Sequence, residues 1–365
     1  MIKEPTTNER NEEDGSRVST RARTFAIGGA VVVAAVGAYF VLTGKAGDLP
    51  IPGIPDEPST CPLTGEEPRR DSVLERPAVA LKIENAAVAR PLSGLEDADL
   101  VYEELVEGGE TRFMAIYHCG DTQKGGPIRS ARMVDPAIMR PKTSILGYSG
   151  ANSAVTEALE AEGVVTLTED DAAPADAMER VDRPGISSEH TLYANSTRIR
   201  RLGRKEFSEP PPQDVFKFGE LEGPSKQASS ISINFGGAST ITYEWDNASK
   251  SWQRSQDGAP FMAESGEQIA PKNILIEEHK VRASDVVDVT GTPSIEIVNE
   301  TGSGRAVLFR NGRAIRGRWT RDSTDGVTVF ETRSGDEMVF APGSVWIELV
   351  PTRSGEVKGS FSYEK

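Results

Sequence analysis

The pattern of apolar and polar positions divides the chain before any motif is read. Residues 1–24 are polar throughout and carry five acids against five bases. Such a segment buries too little apolar surface to offset its chain entropy and reads as a disordered tail. "FAIGGAVVVAAVGAYFVL", Phe25 to Leu42, then runs for 18 residues without a charge. That is about the minimum for a bilayer-spanning helix at roughly 1.5 Å per residue. From Thr43 to Thr60 the prolines at 50, 52, 55 and 58 favour an extended spacer, so 43–60 reads as a Pro-rich linker.

Beyond the spacer the period changes twice. "PAVALKIEN" (77–85) is an apolar run of strand length, and "DLVYEELVEGGETRFMAIYHC" (99–119) reads as two strands around Gly108-Gly109. "SILGYS" reads as a short buried strand, between helical stretches "SARMVDPAIMR" (130–140) and "ANSAVTEALEAEG" (151–163). The mixture predicts an α/β-type domain with a mixed sheet over 61–202. Residues 203–230 are dominated by Pro, Gly, Ser and charge and read as a linker or a surface strap. From Ile231 short alternating runs such as "TITYEWD", "SIEIV" and "SVWIELV" are separated by turn residues, and "RNGRA" is an Asn-Gly hairpin. They predict a smaller, mostly-β domain over 231–352, with 353–365 as a C-terminal tail. The fold class is therefore α+β behind a single N-terminal transmembrane helix.

Charge sets the orientation. Arg17, Arg21 and Arg23 precede the apolar run, and Lys45, Asp48, Asp56 and Glu57 follow it. The asymmetry places the N-terminus in the cytoplasm and the folded part outside the cell membrane. Gly44–Ala46 has the small residues of a signal cleavage site, but the run is longer than a usual signal core, which favours a retained anchor. Lys45 stands where a lipid-accepting Cys would have to be. With 41 Lys+Arg against 56 Asp+Glu, a net charge of −15 and 6% aromatics, the chain lacks the basic face and stacking surface of a nucleic-acid binder. Cys61 and Cys119 are not spaced as a metal knuckle. Outside the membrane two such thiols either stay free or oxidise to a bridge clipping the start of the domain to the end of the hairpin.

The segments "CPLTGEEP", "RPAVALKIENAAVARPLSGLEDADLVYEELVEGGETRFMAIYH", "GPIRSARMVD", "YSGANS" and "EHTLYAN", together with "LFRNGRAIRGRW" and "PGSVWIELVP", resemble the YerB-type family. This is a bacterial, mostly lipoprotein family built on a domain of unknown function with N- and C-terminal parts. The likeness covers about residues 61–352 and departs in the anchor, a membrane helix here. It implies an extracytoplasmic address and a two-part architecture; it supplies no reaction and no cofactor.

The chemistry is therefore read from the residues. Pro127 suits the opening of a helix, which would place Arg129 and Arg132 on one face near its first turn. With Arg112 they are the candidate lining of a cleft that holds a carboxylate or phosphate bidentately. The alternative is an internal network in which each arginine pairs with Glu103, Glu104, Glu107 or Asp135. "GYSGAN" (147–152) imitates a nucleophile elbow at Ser149, although Ala151 stands where the second glycine belongs. The blander reading is a helix cap by Ser149, Asn152 or Ser153. His190, in "SSEHTLYAN", is a candidate general acid or base or a ligand contact; Asn152 and Tyr193 join the candidate ligand set. Neither HExxH nor a calcium-loop pattern occurs, so no metal is expected. Trp245, Trp252, Trp319 and Trp346 fit either a sugar platform or a β core. Together these features favour a non-catalytic module that recognises an anionic envelope glycan or an envelope protein. The alternative is an envelope hydrolase or transferase using His190 with Asp135 or the carboxylates of 103–107.

Overall fold

Strands β1 (Val79–Glu84), β2 (Leu100–Leu105) and β3 (Thr111–Tyr117) are buried along their lengths, Arg112 alone being half-buried. Covered on both faces, they read as near-continuous runs and not as alternating ones. The computed structural model describes residues 60–221, 223–287 and 291–365. In it these strands form the centre of an 11-stranded sheet. On one side β1 pairs in parallel with β4 (Ile145–Gly147), and β4 with β5 (Val165–Leu167). On the other, β2 pairs in parallel with the strand Val345–Pro351. The sheet then continues through Asn273–His279, Gly302–Arg310 and Arg313–Arg321 to the edge strand Val329–Thr332.

The two segments that periodicity separates at 61–202 and 231–352 thus share one sheet, with Leu100–Glu104 in register with Val345–Leu349. The described residues belong to one compact unit. Two separate domains would each expose an unpaired strand edge there, and joining β2 to Val345–Pro351 removes both. Periodicity reports how a strand is buried, not which strand lies beside it.

A five-stranded sheet built from Ser230–Asn234, Ile241–Asp246, Ser251–Gln256, Ala259–Pro260 and Ser360–Glu364 covers one face. Ile231, Ile241, Tyr243 and Trp252 join Val101, Phe113, Ile274 and Trp346 in a common core. The stretch read as a C-terminal tail supplies an edge strand: Phe361 and Tyr363 stand opposite Ile233 and Ile231. Its alternation is too short to stand out in the sequence. The opposite face packs Ala80, Tyr102, Met114 and Ile347 against Ile138, Val155, Leu159, Phe216 and Phe340. Phe216 belongs to the 203–230 stretch, which is a strap held by the Phe216–Phe340 ring contact (centroids 4.8 Å apart) and by pairing of Lys217-Phe218 with Val339-Phe340. Trp252, Trp319 and Trp346 are core residues and Trp245 is half-buried, so they form no exposed sugar platform.

Cys61 and Cys119 form a disulfide across 58 residues of sequence. The tail, the apolar run Phe25–Leu42 and nearly all of the Pro-rich linker lie outside the described residues. Among the described residues no helix is long and apolar enough to cross a membrane.

Candidate functional site

The site begins with a short strand. β4 has three residues and pairs with Ala80 and Leu81, which leaves the Lys82–Glu84 stretch of β1 open on that side. "GPIRSARMVD" fills the opening as extended chain. Ile128 bridges Ile83, the Arg129 N–H donates to the Lys82 carbonyl at 2.8 Å, and the Glu84 N–H donates to the Pro127 carbonyl at 3.1 Å. Main-chain demand from β1 outweighs the helix-opening preference of Pro127. The helix expected over 130–140 is accordingly confined to Asp135–Met139. The Asp135 carboxylate ties the preceding turn by accepting from the Arg132 N–H at 2.6 Å. Arg129 and Arg132 therefore leave from extended chain, not from a shared helix face.

The sheet register does what the helix was expected to do. On β3, Arg112 stands directly between Glu84 of β1 and Glu104 of β2. Lys82, two residues before Glu84 and on the same face, bonds Glu104 and lies 2.6 Å from Asp135. Arg132 grips Glu107 through Nε (2.9 Å) and Nη2. Arg129 reaches Glu189 at 3.3 Å and passes over Glu84 at 3.8 Å. His190 holds Glu84 through Nδ1 at 2.8 Å, with Nε2 at 3.4 Å from Glu189. Arg112 makes a single hydrogen bond, Nη1 to the Ser130 carbonyl at 3.1 Å.

Burial dominates the electrostatics. It pushes the Glu104 carboxyl up to about 7 against the pull of Lys82, and raises Glu84 despite its bond to His190. Arg112 is brought down to about 10, first by burial and then by Arg132. Two carboxylate oxygens on its register neighbours, Glu84 Oε1 and Glu104 Oε2, are buried without a hydrogen-bond partner. Buried polar atoms in native folds are nearly always paired, so each such exception calls for an explanation.

The other candidate residues divide. Asp135 is fully buried on Lys82, a scaffold position and not a general acid. Ser149 is exposed, and its backbone N–H donates to the Arg129 carbonyl at 3.0 Å. Both His190 nitrogens are directed at glutamates, so the described residues hold no Ser–His pair. Asn152 caps the helix Ser153–Ala161 by accepting from the Val155 N–H at 3.0 Å. Tyr193 is buried, with its hydroxyl accepting from Arg183 and the Lys124 ammonium 4.5 Å above its ring. Asn152 and Tyr193 are thus structural. Glu103 points to the opposite face of β2, so it never meets His190. Lys82, Glu84 and Glu189 belong to the site without having been singled out in the sequence. The signal for the first two was there: a Lys and a Glu two apart inside the apolar run "VALKIE". Among the described residues no group of His, Cys, Asp and Glu is arranged to hold a metal.

Comparison with known proteins agrees with this architecture. Residues 63–208 match the family model described as "Protein of unknown function (DUF3048) N-terminal domain". Residues 231–347 match the corresponding C-terminal domain. A Bacillus subtilis (strain 168) protein named "Putative lipoprotein YerB" is 29% identical over 306 residues, which is 80% of this chain and 86% of that protein. A crystal structure of YerB protein from Bacillus subtilis has a TM-score of 0.68 at 26% identity, covering 83% of this chain and 99% of that one. With the N- and C-terminal models of the family matched in order along the sequence, the chain belongs to the DUF3048 family.

Proposed function

We propose that this chain is a membrane-anchored, extracytoplasmic module of the cell envelope that acts by binding at the Arg112–Arg129–Arg132 face. The address rests on the 18-residue apolar run with arginines before it, on the Cys61–Cys119 disulfide, a feature of oxidising compartments, and on the lipoprotein name of the relative. The arrangement around Arg112 carries the binding reading. A half-buried guanidinium with one hydrogen bond stands between two carboxylates that each keep an unpaired oxygen. Among the described residues His190 is engaged by Glu84 and Glu189 and is not paired with a serine, which favours recognition over hydrolysis or transfer.

The test is a thermal-shift comparison of wild type with the Arg129→Ala/Arg132→Ala variant against muropeptides, teichoic-acid fragments and sugar phosphates. A ligand at a hundred times its Kd stabilises by about 2.7 kcal/mol. A fragment that raises the Tm of wild type and not of the variant supports the reading; identical shifts in both, or none in either, overturn it. Cell fractionation tests the address, which falls if the full chain is recovered in the cytoplasm.

A further inference from the structure

We infer that the ligand of the Arg112 face is zwitterionic, carrying a carboxylate with a primary ammonium group close by, as a free amino acid or short peptide does. The inference rests on the binding reading above and adds the ligand's chemistry.

Charge balance is the first ground. Lys82, Arg112, Arg129 and Arg132 face Glu84, Glu104, Glu107, Asp135 and Glu189. Four bases meet five carboxyl groups, two of which, Glu84 and Glu104, are raised by burial, so the simple anion cleft expected from the arginine motif lacks a large positive excess. A ligand with no net charge avoids that conflict.

The second ground is the layout of donors and acceptors. A guanidinium has five N–H donors, and Arg112 commits one of them, to Ser130. On either side, at the register positions of β1 and β2, Glu84 Oε1 and Glu104 Oε2 are acceptors with no donor. Both side chains are 2–3% exposed. The complement of a donor group flanked by acceptors is an acceptor group with donors beside it. A carboxylate with a nearby ammonium has that layout. Phosphate or sulfate offers acceptors to Arg112 and would leave both glutamate oxygens facing more negative charge.

The third ground is access. Arg129 covers Glu84 from 3.8 Å, beyond hydrogen-bond distance, and its other partner Glu189 has a 57% exposed side chain. Contacts of that kind are weak in water, so the cover moves at little cost. Gly150, whose carbonyl accepts from the Ala131 N–H, and Gly108, beside Glu107, have nothing within 4 Å of where a Cβ would stand. These two positions border the site on open space. The raised Glu104 pKa fits as well, because an arriving ammonium supplies the charge that burial denies this carboxylate.

Calorimetric titration of the full chain with three probes tests this: glycylglycine, N-acetylglycylglycine and glycylglycinamide. Glycylglycine is expected to bind, with the acetylated and amidated forms at least tenfold weaker. Arg112→Gln is expected to weaken glycylglycine at least tenfold, and Glu84→Gln to bring it to the level of the acetylated form. Unchanged far-UV circular dichroism would show that both variants fold. If N-acetylglycylglycine binds as tightly as glycylglycine, the zwitterion is overturned while the binding reading stands. If none of the probes binds, the zwitterion is again overturned, and the envelope-fragment comparison judges the binding reading separately. Equal binding by wild type and Arg112→Gln would overturn the placement of the ligand at this arginine.

Discussion

Glu103 and Glu104 are neighbours on β2 and point to opposite faces of the same sheet, where each meets an arginine under different conditions. Glu103 faces the five-stranded sheet. Both its oxygens accept from Arg254 Nη2 (2.9 and 3.1 Å), and Thr111 adds a further hydrogen bond at 2.6 Å. Arg254 is fully buried, with its guanidinium 4.0 Å from the centre of the Phe261 ring. Beside them Glu348 stands in register with Glu103 and accepts from the Tyr243 hydroxyl at 2.5 Å. Burial, and then Glu103 itself, raises the Glu348 carboxyl well above its ordinary value. Glu348 Oε2 also lacks a partner, but it lies sealed between two sheets. Glu104 lies on the face where Arg132 and Arg129 are partly exposed.

This contrast breaks most visibly at Arg254. Arg254→Met leaves Glu103 as an uncompensated buried charge, and the loss expected from a broken buried pair is about 3–5 kcal/mol. Denaturant unfolding measures it, and a loss below about 1 kcal/mol would deny the inner cluster its structural role.

Next in size is a pH effect at Glu104. Folding raises its pKa from 4.5 to about 7, so the folded chain holds a proton there that the unfolded chain releases. Stability from this group is complete below pH 4.5 and is lost as the pH rises to about 7, with a slope of at most about 1.4 kcal/mol per unit. Asp99, raised from 3.8 to about 6 by burial, adds a slope of the same sign, so the difference between Glu104→Gln and wild type is what isolates Glu104. A variant that keeps the full wild-type slope between pH 4.5 and 7 would contradict the assignment.

Arg112→Gln, which removes one hydrogen bond, should cost about 1 kcal/mol, well short of Arg254→Met. A matching loss at the two arginines would make Arg112 scaffold and erase the difference between the faces. The smallest effect is expected at Arg129. Its contacts are long and solvent-screened, so Arg129→Ala should stay within about 0.5 kcal/mol of wild type by thermal unfolding. A larger loss would mean that this cover is held firmly.

Local pattern was enough for much of this. The runs "VALKIE", "LVYEEL" and "TRFMAIY" announce buried strands, and "RNG" a tight hairpin, because strand burial and turn chemistry are written within a few residues. The segment "GPIRSARMVD" was legible as a candidate site and not as a shape. Its arginines are plain in the sequence, but their extended course follows from an opening that a three-residue strand leaves beside β1. Which strand lies next to β2, whether 61–202 and 231–352 part or fuse, and which of Glu103 and Glu104 is sealed in were decided by contacts across 151 residues of sequence or more. Side chains alternate across a sheet whatever covers its faces, so the pattern tells that two neighbouring glutamates diverge. Only the packed structure tells that one meets Arg254 under a second sheet and the other meets Arg112 on the opposite face.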